Sequence, residues 1–183
     1  MAAGDGNGWV QCRCGRRHWG LHGAAGLLLA RPTQSPHTNG GAPAGTGAHP
    51  QMNAATHDSL DVLLQLRAGW THQGGTWGIP GGAVDSHEDE RAGALREAYE
   101  ETGVSPLSVR VLDRLVSTDH VDWRYHVILG VPAGPIRPRA TTAESDDVRW
   151  VPAREVMSLP LHPGFAASWP VLLPRLADLA RLG

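Results

Sequence analysis

Between Asp85 and Glu101 the chain carries seven carboxylates (Asp85, Glu88, Asp89, Glu90, Glu97, Glu100 and Glu101) against only Arg91 and Arg96. That is a local charge of −5 over 17 residues, in a chain of 183 whose total is −2. At about 100° per residue, Glu97, Glu100 and Glu101 fall within roughly 100° of one another on a helix. Ala92, Leu95 and Tyr99 lie roughly half a turn away and are expected to dock on a core. Carboxylates converging in this way repel, by about 0.2–0.5 kcal/mol per pair in an isolated helix. A hard divalent cation relieves that repulsion, and an all-oxygen ligand set suits Mg2+ or Mn2+ rather than zinc. Gly93, one turn earlier, weakens the helix by roughly 0.5–1 kcal/mol but leaves room beside the carboxylates. The ordinary alternative for any charge run is a solvated acidic face.

Several elements must position this segment. Ser86 is a candidate N-cap and Gly103 a candidate C′ residue, which predicts one helix over 87–102. Before it, Thr76-Trp-Gly-Ile-Pro80 reads as a short extended piece ending in a tight turn at Pro80-Gly-Gly82. Residues 23–30 and 61–67 are short apolar runs without helical period and read as buried strands. Between them, residues 31–59 are rich in Pro, Thr, Ser, Gly and His, with Met52 the only large apolar side chain. Such a stretch cannot bury enough apolar surface to offset its ordering entropy, so a flexible loop is expected there. Leu107–Ser117 and Val121–Val131 predict a hairpin through Asp119-His120, and Val148–Val151 a further short strand. Val171, Leu172, Leu176, Leu179 and Leu182 fit a closing helix from about Ala166. Strands mixed with two helices predict a layered α/β fold.

The spacing around the acidic helix is specific. Gly82, Glu88 and the run Arg96-Glu-Ala-Tyr-Glu-Glu-Thr-Gly-Val104 resemble the Nudix box at every fixed position, and the lead-in Trp77-Gly-Ile-Pro-Gly-Gly82 looks like the same family. The resemblance implies an α/β/α sandwich with a mixed sheet and a hydrolase that cleaves nucleoside diphosphates linked to another moiety, using Mg2+ or Mn2+. By position, the Gly81 carbonyl and the carboxylates of Glu97, Glu100 and Glu101 would form the metal site. Arg96 would orient Glu97, and Glu88 would brace the loop–helix junction. Gly82 and Gly103 occupy the box's fixed glycine positions. The general base comes from Glu97 or from Glu144, which the resemblance to oxidised-purine triphosphatases also brings toward the metal.

Outside the box the resemblance thins. Arg67, closing the second strand, is a phosphate-contact candidate, and Phe165 could stack on a base. Gly23–Leu29 and Leu161–Trp169 resemble bacterial MutT-type 8-oxo-dGTP diphosphatases. Where the mammalian oxidised-purine enzyme carries acidic base-reading residues, His162 and Phe165 stand here. The implied reaction converts an oxidised purine nucleoside triphosphate to monophosphate and pyrophosphate. ADP-ribose or another nucleoside diphosphate derivative is the alternative substrate, and a non-catalytic nucleotide-sensing module the alternative class.

Composition narrows the rest. All 16 basic residues are Arg, balanced by 18 acids, which argues against a general nucleic-acid binder. The resemblance implies a small nucleotide as the partner. No apolar run approaches the roughly 20 residues that span a bilayer, so no membrane partner is expected. Two cysteines one residue apart support no disulfide framework, and a cytoplasmic setting is the default. Residues 1–22 read as an N-terminal leader packed by Trp9 and Trp19, ahead of a domain over 23–183. Cys12, Cys14, His18 and His22 invite a zinc reading, although the C-x-C spacing is tighter than usual and free thiols are the blander expectation. His120 and His126 are expected to be exposed beside the hairpin. Trp123 and Tyr125 are expected to make sheet–helix contacts, with a base pocket as the other possibility.

Overall fold

The computed structural model describes residues 4–33 and 59–181. Its elements run in chain order as β1 (Trp9–Gln11), β2 (Arg17–Trp19), β3 (Ala24–Pro32), β4 (Leu60–Arg67), β5 (Trp77–Gly78), β6 (Gly81–Ala83), α1 (Glu90–Thr102), β7 (Val109–His120), β8 (Trp123–Pro132), β9 (Ser145–Pro152) and α2 (Pro163–Arg181). β1 and β2 form an antiparallel hairpin. The other seven strands form one mixed sheet in the order β5-β4-β3-β8-β7, with β6 added to β3 and β9 to β4. Among the described strands, β3 and β8 at its centre pair in parallel and the other strand pairs are antiparallel.

Alternation along the central strands builds the layers, because successive side chains leave opposite faces of a sheet. Leu27, Leu29 and Leu63 face α1 through Ala94 and Ala98. Leu28, Ala30, Val62 and Leu64 face the other way, onto Phe165, Trp169, Leu172 and Leu176 of α2. A sheet apolar on both faces needs a helix on each, so the chain is an α/β/α sandwich.

Several elements depart from expectation. β3 continues through Arg31 and Pro32, because Arg31 pairs with Asp61 across the sheet and its guanidinium reaches that carboxylate at 3.4 Å. Residues 34–58, the bulk of the loop expected over 31–59, lie outside the described residues, as does Leu182. Gly81 and Gly82 form a strand rather than a turn. They pair with Gly26 and Ala25, and a Cβ on Gly81 would sit 2.4 Å from the Ala25 carbonyl oxygen. The β7–β8 turn is Val121–Asp122, two residues later than the sequence indicates. Leu107 is fully exposed in a 3-10 turn over Pro106–Ser108, so β7 begins at Val109.

In α1, Asp89 caps in place of Ser86, accepting the Ala92 N–H at 2.8 Å, so the helix starts at Glu90. Ser86 instead donates to the Asp5 carboxylate. Gly103 ends the helix in the left-handed region at φ 70°, donating to the Tyr99 carbonyl. The docked face is the larger correction. Gly93, Ala94, Ala98, Glu101 and Thr102 are buried, while Ala92 and Tyr99 face solvent. Small side chains let the helix lie close on β3, so the carboxylate stripe itself borders the buried face. α2 starts at Pro163, three residues early, and Val171 is exposed.

Candidate active site

Arg96 is the hub of the acidic helix. Its Nη2 donates to Glu88 Oε1 at 2.6 Å and to the Ala83 carbonyl at 2.9 Å. Its Nη1 donates to Glu97 Oε1 at 2.9 Å and to Glu100 Oε2 at 3.5 Å. Glu88 in turn accepts the Asp85 N–H at 2.9 Å, tying the β6–α1 loop to the helix. One guanidinium therefore fixes three carboxylates and a strand carbonyl together, using the several donors of its planar fork. Gly82 makes the close approach possible, since a Cβ there would lie 2.5 Å from Glu97 Cδ.

Glu101 is held differently. It is 6% exposed and accepts the Gly81 N–H at 2.9 Å. Gln65, itself buried, bonds the same carboxylate and donates to Ser145 Oγ at 2.6 Å. Burial nevertheless pushes Glu101 up to about 7, against the opposing pull of Gln65, Gly81 and the Arg67 charge. Burial also raises Glu97, in spite of its bond to Arg96. A carboxylate poised near neutrality beside two others is an oxygen-only donor set with unrelieved charge. It fits a hard divalent cation such as Mg2+ or Mn2+.

These groups open into a cleft of about 1170 Å³. Arg67, Gly81, Glu144 and Phe165 line it together with Arg96 and the three box glutamates. Arg67 stands at the end of β4, where a register shift opposes it to Ser145, and its Nε donates to the His72 carbonyl at 3.1 Å. Glu144 is exposed just before β9, and its carbonyl accepts the Ala68 N–H. Phe165 faces the cleft from the edge of the α2 core, packed on Trp169 at 5.5 Å. Glu88 and Gly103 stay outside the cleft lining, in the helix's own scaffold.

Four residues whose place was not legible also face the cleft. His162 is half-buried, and burial together with the Arg67 and His72 charges lowers its basicity. Its Nδ1 accepts the Gly164 N–H at 3.1 Å, which assigns the proton of the neutral ring to Nε2. Trp123 and Tyr125 both line the cleft, and Tyr125 also packs on the core. His120 is not exposed but stacks on His18 at 4.3 Å. His126, also half-buried, lies 3.7 Å from Glu90. For Gln65 a signal existed: it is a lone polar residue inside the apolar run Val62–Leu66.

The N-terminal segment completes one wall of the cleft. Gly4 and Gly6 donate to the two Asp85 oxygens, each at 2.8 Å, and Trp123 Nε1 donates to the Trp19 carbonyl at 3.0 Å. Cys12, Cys14 and His18 come together, whereas His22 stands apart from them.

Comparison with known proteins agrees with this architecture. Residues 48–172 match the family model described as NUDIX domain. A Mycobacterium tuberculosis protein with the provisional name 8-oxo-dGTP diphosphatase 3 is 44% identical over 97% of this chain and 75% of its own length. A Bifidobacterium longum nucleoside triphosphate pyrophosphatase/Nudix hydrolase fusion protein is 38% identical over 96% of this chain and 32% of its own. The crystal structure of the Nudix hydrolase RenU from M. smegmatis superposes with a TM-score of 0.75 at 39% identity, covering 94% of this chain and 96% of that one. The chain belongs to the Nudix family and is a Nudix hydrolase. Among the described residues no helix is long and apolar enough to cross a membrane.

Proposed function

We propose that this enzyme is a Mg2+- or Mn2+-dependent diphosphatase that converts 8-oxo-dGTP to the monophosphate and pyrophosphate. The observation that carries the metal reading is the convergence of Glu97, Glu100 and Glu101 in one cleft with Arg67 and Glu144. In this reading the Gly81 carbonyl and the carboxylates of Glu97, Glu100, Glu101 and Glu144 hold the cation. A bound Mg2+ or Mn2+ neutralises the phosphate chain and acidifies a water. Arg67 binds a phosphate oxygen from the cleft wall. Arg96 keeps Glu97 aimed at the reacting water, and burial raises Glu97 toward the range a general base needs, so Glu97 takes the water's proton.

The choice of an oxidised purine is supported by the 44% identical relative that carries that activity in its name. At the base end, neutral His162 offers an Nε2–H donor and Phe165 an aromatic edge. A donor there suits a carbonyl oxygen on the base, and stacking suits its ring. The test is kcat/KM for 8-oxo-dGTP against dGTP, ADP-ribose and a dinucleoside polyphosphate with each metal. A clear preference for 8-oxo-dGTP supports the reading, whereas a preference for ADP-ribose replaces the substrate and keeps the chemistry. In the same assay, Glu97→Gln is expected to lose the acidic limb of the pH–rate profile, and its retention there would move the base to Glu144.

A further inference from the structure

Some seventy residues before the acidic helix, the N-terminal hairpin gathers a second donor set of different chemistry. Cys12 follows β1 directly and His18 sits in the middle of β2. The turn between them is tight: the Cys12 N–H donates to the Arg16 carbonyl, the Gly15 N–H donates to the Cys12 carbonyl, and Gly15 adopts φ 87°. This geometry folds Cys14 back over the hairpin. Its backbone N–H donates to Cys12 Sγ at 3.4 Å, and its own Sγ lies 3.2 Å from His18 Nε2. The two sulfurs and the imidazole nitrogen all lie within 4.8 Å of one another. Neither cysteine is in a disulfide.

We propose that Cys12, Cys14 and His18 bind a zinc-class cation, distinct from the hard-metal site of the glutamates. Two thiolates and an imidazole are the ligands that Zn2+ prefers and Mg2+ does not. The N–H bond from Cys14 to the Cys12 sulfur stabilises a thiolate, as outer-sphere partners do in metal sites. On binding, each thiol gives its proton to solvent and its sulfur to the metal. Three protein donors leave one tetrahedral position for water. The cation also orders a wall of the cleft, since the His18 ring stacks on His120 at 4.3 Å and on Trp123 at 4.7 Å.

The test uses the full chain, free of any tag, kept reduced and saturated with Mg2+ so that the glutamates are occupied. After loading with Zn2+ and dialysis, about one zinc per chain should be retained by wild type, and Co2+ in its place should show thiolate-to-metal charge-transfer absorption. Cys14→Ser should weaken zinc binding by more than about 100-fold and abolish the zinc-induced rise in Tm. Its circular dichroism in Mg2+ should match wild type, because Cys14 is only half-buried. A Glu97→Gln/Glu100→Gln variant should keep the zinc. No retained zinc in wild type, or zinc lost by the glutamate variant and kept by Cys14→Ser, would overturn the proposal.

Discussion

Arg96 and Glu101 carry opposite kinds of electrostatic stress. Arg96 offsets Glu88, Glu97 and the exposed Glu100, so removing it strands two carboxylates, Glu88 and Glu97, that are already half-buried. Arg96→Ala is expected to cost about 2–4 kcal/mol in denaturant unfolding, somewhat below the range for fully buried pairs because the guanidinium is partly solvated. Arg96→Lys keeps the charge but not the fork, and should recover only part of that loss. Glu101 behaves in reverse. Its carboxyl rises from an ordinary 4.5 to about 7 on folding, so between those values the folded state binds the extra proton. The stabilisation is therefore complete below about pH 4.5 and lost as pH climbs through 7, a swing on the order of 3 kcal/mol. The metal-free enzyme should lose Tm between pH 5 and 8 through this group. Glu101→Gln should flatten that slope and raise Tm at pH 8, yet lower turnover at least about 100-fold. A variant both less stable and still active would contradict the role given to this carboxylate.

At the scale of elements, the β6–α1 junction sets the site by close approach rather than by bulk. Gly82 permits β6 to pass against Glu97, and the obstructing atoms belong to the end of a flexible side chain. Gly82→Ala should therefore displace Glu97 more than it unfolds the protein. Turnover should fall steeply while unfolding shifts by no more than about 1 kcal/mol, a split that kinetics and thermal melts together detect. Ala98 is the contrasting position. It is fully buried against β3, and Ala98→Leu should cost about 1–3 kcal/mol by overpacking. Small residues at 93, 94 and 98 also explain why a helix so short of large apolar side chains docks at all: the backbone comes close enough for Leu27 and Ile128 to reach it.

Across the whole molecule, separate regions line one cleft, among them the α1 face, the end of β4, the segment leading into β9, the β7–β8 hairpin, the N-terminal hairpin and the start of α2. The N-terminal hairpin is attached by contacts of unequal strength. Asp85 is buried and takes two backbone N–H groups, which hold its pKa below the ordinary value. Asp85→Ala leaves the buried Gly6 N–H unmet and should cost about 1–3 kcal/mol; wild type loses stability in the same sense only as pH falls below the carboxylate range. The Arg13–Asp122 pair is mostly solvated, and Asp122→Ala should leave the unfolding midpoint close to that of wild type. Removing divalent metal should act on the whole fold as well. At a Mg2+ concentration 100-fold above its Kd, about 2.7 kcal/mol of apparent stability is expected, visible as a Tm drop on chelation.

Spacing within a single helix is a local property, and it was legible. The separation of residues 97, 100 and 101 and the helix stop at Gly103 follow from helical geometry that a short segment carries by itself, whereas the reach of Arg96 back to Glu88 crosses from the helix to the loop before it and shows only in the fold. The face that α1 turns inward was not legible, because Tyr99 and Ala92 have the apolar character of a docking face. The choice fell to Gly93, Ala94 and Ala98, whose small size matters only once β3 is there to be approached. Likewise the β4 residues Gln65 and Arg67 lie far from Glu144 and His162 in the chain. Only strand pairing of β4 with β9, and the packing of α2 beneath them, brings them to Glu101. The acidic helix and the chemistry its carboxylates can support were set by the residue order of that one segment. The cleft, and the raised pKa of Glu101 within it, were decided by tertiary structure, since burial is a property of neighbours rather than of any residue.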